Sequence, residues 1–140
     1  MNTSTTRKLF VNLAVHDLQR SIDFFGKLGF TFNAQFTDAN ATCMIVGSDA
    51  YFMLLVHGKF TDFTTKPISD ASAQTEAIYA IGVDSRAEVD EMVHIALANG
   101  GKPAKDVIDY GFMYGWSFQD PDGHHWEVFY MDPAAVLPQQ

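Results

Sequence analysis

The feature that most constrains the fold is that one order of elements occurs twice. Residues 9–15 are rich in β-formers and close at His16-Asp17, after which Leu18, Ile22, Phe25 and Leu28 recur at helical spacing up to Gly29. Asp17 can accept the first free amide protons of that helix, and Gly29 can take the left-handed conformation that ends one. Phe30, Phe32, Ala34 and Phe36 then alternate with polar residues, and Asp38-Ala39-Asn40 supplies a turn. Residues 42–46 and 51–56 make two more strands around Gly47-Ser48-Asp49. The first half reads βαβββ.

The same order returns in residues 76–132. Residues 77–83 form a strand, Ser85 and Glu88 a capping box, and Val89, Met92, Val93, Ala96 and Leu97 one apolar helical face that stops at Gly100-Gly101. Strands are expected at 107–108, 113–118 and 125–130, the last two separated by the turn sequence Asp120-Pro121-Asp122-Gly123. Val15-His16-Asp17 and Val83-Asp84-Ser85 mark matching strand-to-helix junctions about 68 residues apart, too long a period for a solenoid. The chain is therefore expected to be one duplicated domain: a module at about 7–57, a connector at 58–75 with a short helical turn around Phe60 and Phe63, and a second module at about 76–132. Residues 1–6 and the tail after Pro133 are expected to be frayed ends.

At 140 residues, 47% of them hydrophobic and with twelve Phe, five Tyr and two Trp, the chain can bury a core without disulfides or a structural metal. Nine basic residues against seventeen acidic ones give a net charge of -8 with no basic cluster, which argues against a nucleic-acid partner. Cys43 is the single cysteine and excludes an intramolecular disulfide, in keeping with a reducing, cytoplasmic setting. The polar N-terminus followed by strand-like alternation gives neither a signal peptide nor a membrane span.

The run from Val11 through Val15-His16-Asp17-Leu18, continuing Arg20-Ser21-Ile22-Asp23-Phe24-Phe25 and Leu28-Gly29-Phe30, closely resembles the opening of vicinal oxygen chelate proteins. That superfamily holds glyoxalase I, bleomycin-resistance proteins and extradiol dioxygenases. The close, Phe118-Gln119-Asp120-Pro121-Asp122-Gly123-His124-His125-Trp126-Glu127-Val128, resembles the family's Asp-Pro-Asp-Gly turn and the Glu-bearing strand after it. The resemblance covers roughly residues 7 to 132. It is nearest to bacterial lactoylglutathione lyase-like proteins, which carry similar text at Gln35-Phe36-Thr37-Asp38 and Asp109-Tyr110-Gly111-Phe112-Met113-Tyr114-Gly115. The fold it implies is α+β: two βαβββ modules whose eight strands form an incompletely closed, cup-shaped sheet with the helices outside, around a small-molecule pocket.

In enzymes of the superfamily, the first and last strands of each half supply metal ligands, and the metal polarises two neighbouring substrate oxygens. Carried onto this sequence, the four positions fall on Phe10, on Leu54 give or take one residue, on Ile78 and on Glu127. Only the last can bind a hard divalent ion, so no metal cofactor is expected. A displaced site for nickel, zinc or iron made from His125, Glu127, Glu76 and Asn12 is the alternative. Its plainer counterpart has Asn12 and Glu76 bonding backbone near strand ends, with His125 at a cavity rim or a dimer contact.

Glu127, enclosed by Phe10, Leu54, Ile78 and Phe129, is a candidate general base, or else a carboxylate satisfied by a water or a tyrosine hydroxyl. Tyr110, Tyr114 and Trp116 either line the pocket or belong to ordinary core or interface. Cys43 reads as an inert buried thiol, and His57 and His94 as structural or solvent-facing. The ligand-binding set is thus Phe10, Asn12, Leu54, Ile78, Tyr110, Tyr114, Trp116, His125 and Phe129, with Glu127 as the catalytic candidate. Two functions follow from the resemblance: a metal-free homodimeric protein that sequesters an aromatic or amphipathic small molecule, or a lyase, isomerase or dioxygenase with a rearranged metal site.

Overall fold

The computed structural model describes residues 6–135, so the expected frayed ends fall outside the described residues except for Thr6 and a 3-10 turn at Pro133–Ala135. The chain divides into two compact units, residues 1–68 and 69–140. The connector is split between them.

In the first unit, β1 (Leu9–Val15) leads into α1 (Leu18–Lys27), whose cap Asp17 accepts from the Arg20 amide at 3.1 Å. Gly29 follows at φ 100° and reverses the chain. The expected strand through Phe36 stops early. β2 covers only Thr31–Asn33, because the Asn33 side chain accepts from the Gln35 amide at 3.0 Å and winds Ala34–Phe36 into a 3-10 turn. β3 (Ala41–Gly47) and β4 (Ala50–Val56) complete a sheet of order β1-β4-β3-β2, in which β1 and β4 are parallel and the other pairs antiparallel. A short helix, α2 (His57–Phe60), and a 3-10 turn at Thr61–Phe63 supply the anticipated turn around Phe60 and Phe63.

The second unit repeats the plan with β5 (Ile78–Gly82), α3 (Arg86–Ala98), β8 (Met113–Gln119) and β9 (His125–Met131). Ser85 caps α3 through the Glu88 amide, while the Glu88 carboxylate reaches back to the Asp84 amide at 3.2 Å. The loop after α3 holds two short strands where one was expected, β6 (Lys102–Pro103) and β7 (Ile108–Asp109), both paired with β8. The second sheet therefore has five strands, in the order β5-β9-β8-β6 with β7 also on β8, and β5 and β9 run parallel as β1 and β4 do. The architecture is α+β, a βαβββ module followed by a second of the same plan with one additional short strand, each on an open sheet. Among the described residues no helix is long and apolar enough to cross a membrane.

Register divides the second sheet into two faces. Tyr79, Ile81, Trp126, Val128, Tyr114, Trp116 and Phe118 point one way. On that side α3 packs, with Val89, Val93 and Ala96 fully buried against a layer in which Trp126, Val128 and Phe118 are also fully buried. Ile78, Ala80, Gly82, His125, Glu127, Phe129, Ser117 and Gln119 point the other way.

The turn between β8 and β9 is built on one buried carboxylate. Asp120, 2% exposed, accepts from the Asp122 and His124 amides at 2.9 and 3.0 Å through Oδ1 and from the Trp126 indole at 2.9 Å through Oδ2. Burial pushes its carboxyl above the usual range despite these bonds. The Asp-Pro-Asp-Gly sequence is thus a structural device that seats the Trp126 ring in the core.

Candidate ligand-binding site

Glu127 lies mid-strand on the face of the second sheet away from α3, and its in-register neighbours are small: Ala80 on β5 and Ser117 on β8. Two residues on, Phe129 pairs with Gly82 and Gly115. A Cβ on Gly82 would stand 3.3 Å from the tip of the Phe129 ring, so the missing side chain lets that ring lie over β5. Two residues back, His125 pairs with Ile78, a residue 58% exposed. The result is a carboxylate that is open on the Ala80 side and bordered on the other by buried Ser117, whose hydroxyl accepts from the Lys105 amide at 2.9 Å, with an aromatic ring at one end and an aliphatic and an imidazole group at the other. Glu127 itself is half-buried.

The structure brings together four of the expected site residues, Ile78, His125, Glu127 and Phe129. It moves others away. Tyr114 and Trp116 face α3: the Tyr114 hydroxyl donates to Asp90 at 2.6 Å, the Arg86 guanidinium lies 5.0 Å over its ring, and Trp116 meets His94 edge-on at 5.1 Å. Because Glu127 pairs with Ser117, the odd-numbered residues of β8 share its face and these two aromatics cannot. Tyr110 is not on the sheet. It stacks on Phe112 in the exposed connection between β7 and β8, which Arg86 holds through Asp109 at 2.9 Å and the Gly111 carbonyl at 2.8 Å.

Phe10 and Asn12 share one face of the first sheet, where Phe10 stacks on its partner Tyr51 at 4.8 Å and the Asn12 amide donates to the Phe10 carbonyl at 3.3 Å. Leu54 lies on the opposite face, paired with Leu13 and fully buried. Val15 and Val83 stand at the same place before their helix caps, so Asn12 corresponds to Ala80; Asn12 pairs with Met53 as Ala80 pairs with Glu127. The counterpart of Glu127 in the first half is therefore Met53. Leu54 leaves the site.

Glu76, the other acidic candidate, is committed elsewhere. It accepts from the Tyr79 hydroxyl at 2.8 Å and stands 2.9 Å from His124 Nδ1. Burial opposes its ionisation, but its backbone hydrogen bond, Tyr79 and His124 together hold the carboxyl below its usual value. Burial, then the same carboxylate, push the Tyr79 hydroxyl well above the ordinary range. Cys43 is buried, and burial raises its thiol, which keeps it a weak nucleophile. His57 stacks on His16 at 4.2 Å at the ends of β4 and β1.

Sequence reasoning missed a polar cavity of about 140 Å³ beside this face, between the turn at 70–74 and the ends of β8 and β9. Ser72, Gln74, Thr75, Gln119 and His125 line it. The only signal available was the pairing of Gln119 with His125 across the turn, which no pattern in the chain displays.

Comparison with known proteins supports the fold. Residues 7–47 match the family model described as bleomycin resistance protein-like N-terminal. A hypothetical protein from S. aureus is 24% identical, with 91% of this chain and 95% of that one covered and a TM-score of 0.76. A glyoxalase-related enzyme from Fulvimarina pelagi is 17% identical over 90% of this chain and 88% of its own, TM-score 0.76. A glyoxalase/bleomycin resistance protein/dioxygenase family enzyme from Burkholderia phytofirmans is 16% identical over 87% and 96%, TM-score 0.72. No curated protein matches. The chain shares the fold of these glyoxalase and bleomycin-resistance structures, and the family-model match is confined to its first 47 residues.

The metal that the superfamily's enzymes use does not fit the residues present. In register its four positions are Phe10, Met53, Ile78 and Glu127, three apolar side chains and one carboxylate. Among the described residues, no three His, Cys, Asp or Glu side chains converge as a metal site requires, and Glu76 is already engaged by Tyr79 and His124.

Proposed function

We propose that the protein binds an aromatic or amphipathic small molecule on the open face of its second sheet and does so without the superfamily's metal. The observation that carries this reading is the setting of Glu127: exposed Ala80 leaves room on one side, Phe129 offers an aromatic surface over Gly82, and exposed Ile78 extends the apolar floor. Apolar contact supplies the affinity, and the carboxylate accepts a hydrogen bond that fixes orientation. Glu127 in this reading is a recognition group. A homodimer is the form in which we expect the protein to act, since Leu9, Phe10 and Ile78 are large apolar residues left exposed on the first strands of the two sheets. Light scattering at micromolar concentration checks that.

The test is metal analysis of the purified protein together with a thermal-shift screen of aromatic amphiphiles and divalent ions. Stabilisation by at least one amphiphile in the presence of chelator supports the proposal. Stoichiometric nickel, zinc or iron, or a metal-dependent stabilisation abolished by Glu127→Ala, would support lyase, isomerase or dioxygenase chemistry instead.

A further inference from the structure

The polar cavity is a built feature. Its outer wall is the turn at 70–74, held by the Asp70 carboxylate, which accepts from the Ser72 amide at 3.0 Å, and by the Asp70 carbonyl, which accepts from the Ala73 and Gln74 amides at 3.0 and 2.9 Å. That turn is fixed to the second sheet at two places. Gly123, at φ 96°, lies so close that a Cβ there would stand 2.7 Å from the Ala71 carbonyl oxygen, and one residue beyond Thr75 the Glu76 carboxylate meets His124. The inner wall is Gln119 and its cross-strand partner His125.

Of the polar side chains around this space, the Ser72 hydroxyl donates to the Asp70 carboxylate and the others are uncommitted. The side chains of Gln74, Thr75, Gln119 and His125 make no hydrogen bond to another described residue. At about 30 Å³ per water the cavity holds the equivalent of four or five waters, too small for a whole drug-sized ligand and enough for a head group. No Lys, Arg, Asp or Glu lines it, so an ionised group entering would lose hydration without a counter-charge. An uncharged group with both donors and acceptors suits it best, because Gln and Thr offer both and His offers either. His125 lines the cavity and also pairs with Ile78 on the open face, and Glu127 follows about 7 Å further along the strand.

We infer that the cavity is a head-group subsite for an uncharged amide, and that the ligand's apolar body runs from it across Ile78 toward Phe129. This inference rests on the open-face reading and specifies the chemistry of what binds there. The test uses three probes of one shape, 4-phenylbutyramide, 4-phenylbutyrate and 4-phenylbutylamine, titrated into the full-length isotope-labelled protein by two-dimensional NMR. The amide should bind about tenfold more tightly than either charged probe, the scale of one or two hydrogen bonds not replaced by solvent. Gln119→Leu and Thr75→Val should each reduce that preference while leaving the binding of the phenyl end in place. Equal binding of the three probes, a preference over only one of them, or a preference that survives both substitutions overturns the subsite while the open face stands. If no probe shifts the resonances of Ile78, Glu127 and Phe129, the open-face reading falls and the subsite with it.

Discussion

Asp120→Asn isolates the bond on which the turn between β8 and β9 depends, because the substitution keeps shape and volume and changes only one acceptor. Asn retains Oδ1 for the Asp122 and His124 amides but presents an NH2 group to the Trp126 indole N–H, a donor against a donor across 2.9 Å. Flipping the amide restores Trp126 and sets the same conflict against two backbone donors, so no rotamer relieves it. A lost hydrogen bond to a charged acceptor costs about 1.5–3 kcal/mol, and an unsatisfied buried donor about 1–3 kcal/mol more. Against this, burial opposes ionisation of Asp120, so a neutral side chain recovers part of the loss. The expected net destabilisation is about 2–3 kcal/mol, or roughly 10 °C in Tm for a chain of this size. Urea unfolding followed by tryptophan fluorescence measures it, and Trp116 and Trp126 both report on the second unit. A midpoint unchanged within about 0.5 kcal/mol would refute the assignment of Asp120 as the acceptor that holds Trp126.

Other consequences follow from the same geometry. Because Glu76 is held below its ordinary value of 4.5, its contribution to stability is present above that value and is lost as pH falls through its lower folded pKa; Glu76→Gln should flatten the acid limb of a stability-against-pH curve. Gly123→Ala should destabilise by about 1–3 kcal/mol, since it adds a positive-φ penalty to a contact with the Ala71 carbonyl, and calorimetry reads the change. Arg86→Ala should speed hydrogen exchange at the Gly111 amide, which the Arg86-Asp109 pair orders, while exchange in β9 stays unchanged. Glu127→Gln should leave the unfolding free energy within about 0.5 kcal/mol of wild type, because its carboxylate is only half-buried; a larger fall would make it a structural residue.

The duplicated βαβββ plan was legible because caps, turns and periodicity each recur in order, and Asp17, Ser85 and Gly29 do what their types predict. Face and register were legible only within a strand. Alternation correctly kept His125, Glu127 and Phe129 together, but it says nothing about how one strand is set against the next. Hence Tyr114 and Trp116 stood open between pocket and core, whereas pairing of Ser117 with Glu127 turns them to α3, and the fourth-strand position could be read only as Leu54 give or take one residue, a range that includes Met53. β2 was read too long because side-chain capping by Asn33 overrode apolar alternation. The Tyr79-Glu76-His124 contacts join residues up to 48 positions apart and the polar cavity joins residues as distant as Ser72 and His125, and nothing local in the chain records such separations.

The most direct test of the central claim, that Glu127's sheet face binds a small molecule without metal, is an NMR titration of the chelator-treated protein with 4-phenylbutyramide. The account predicts saturable shifts at Ile78, Glu127 and Phe129 that do not change when zinc or nickel is added. Shifts that appear only after a divalent ion is supplied would contradict it.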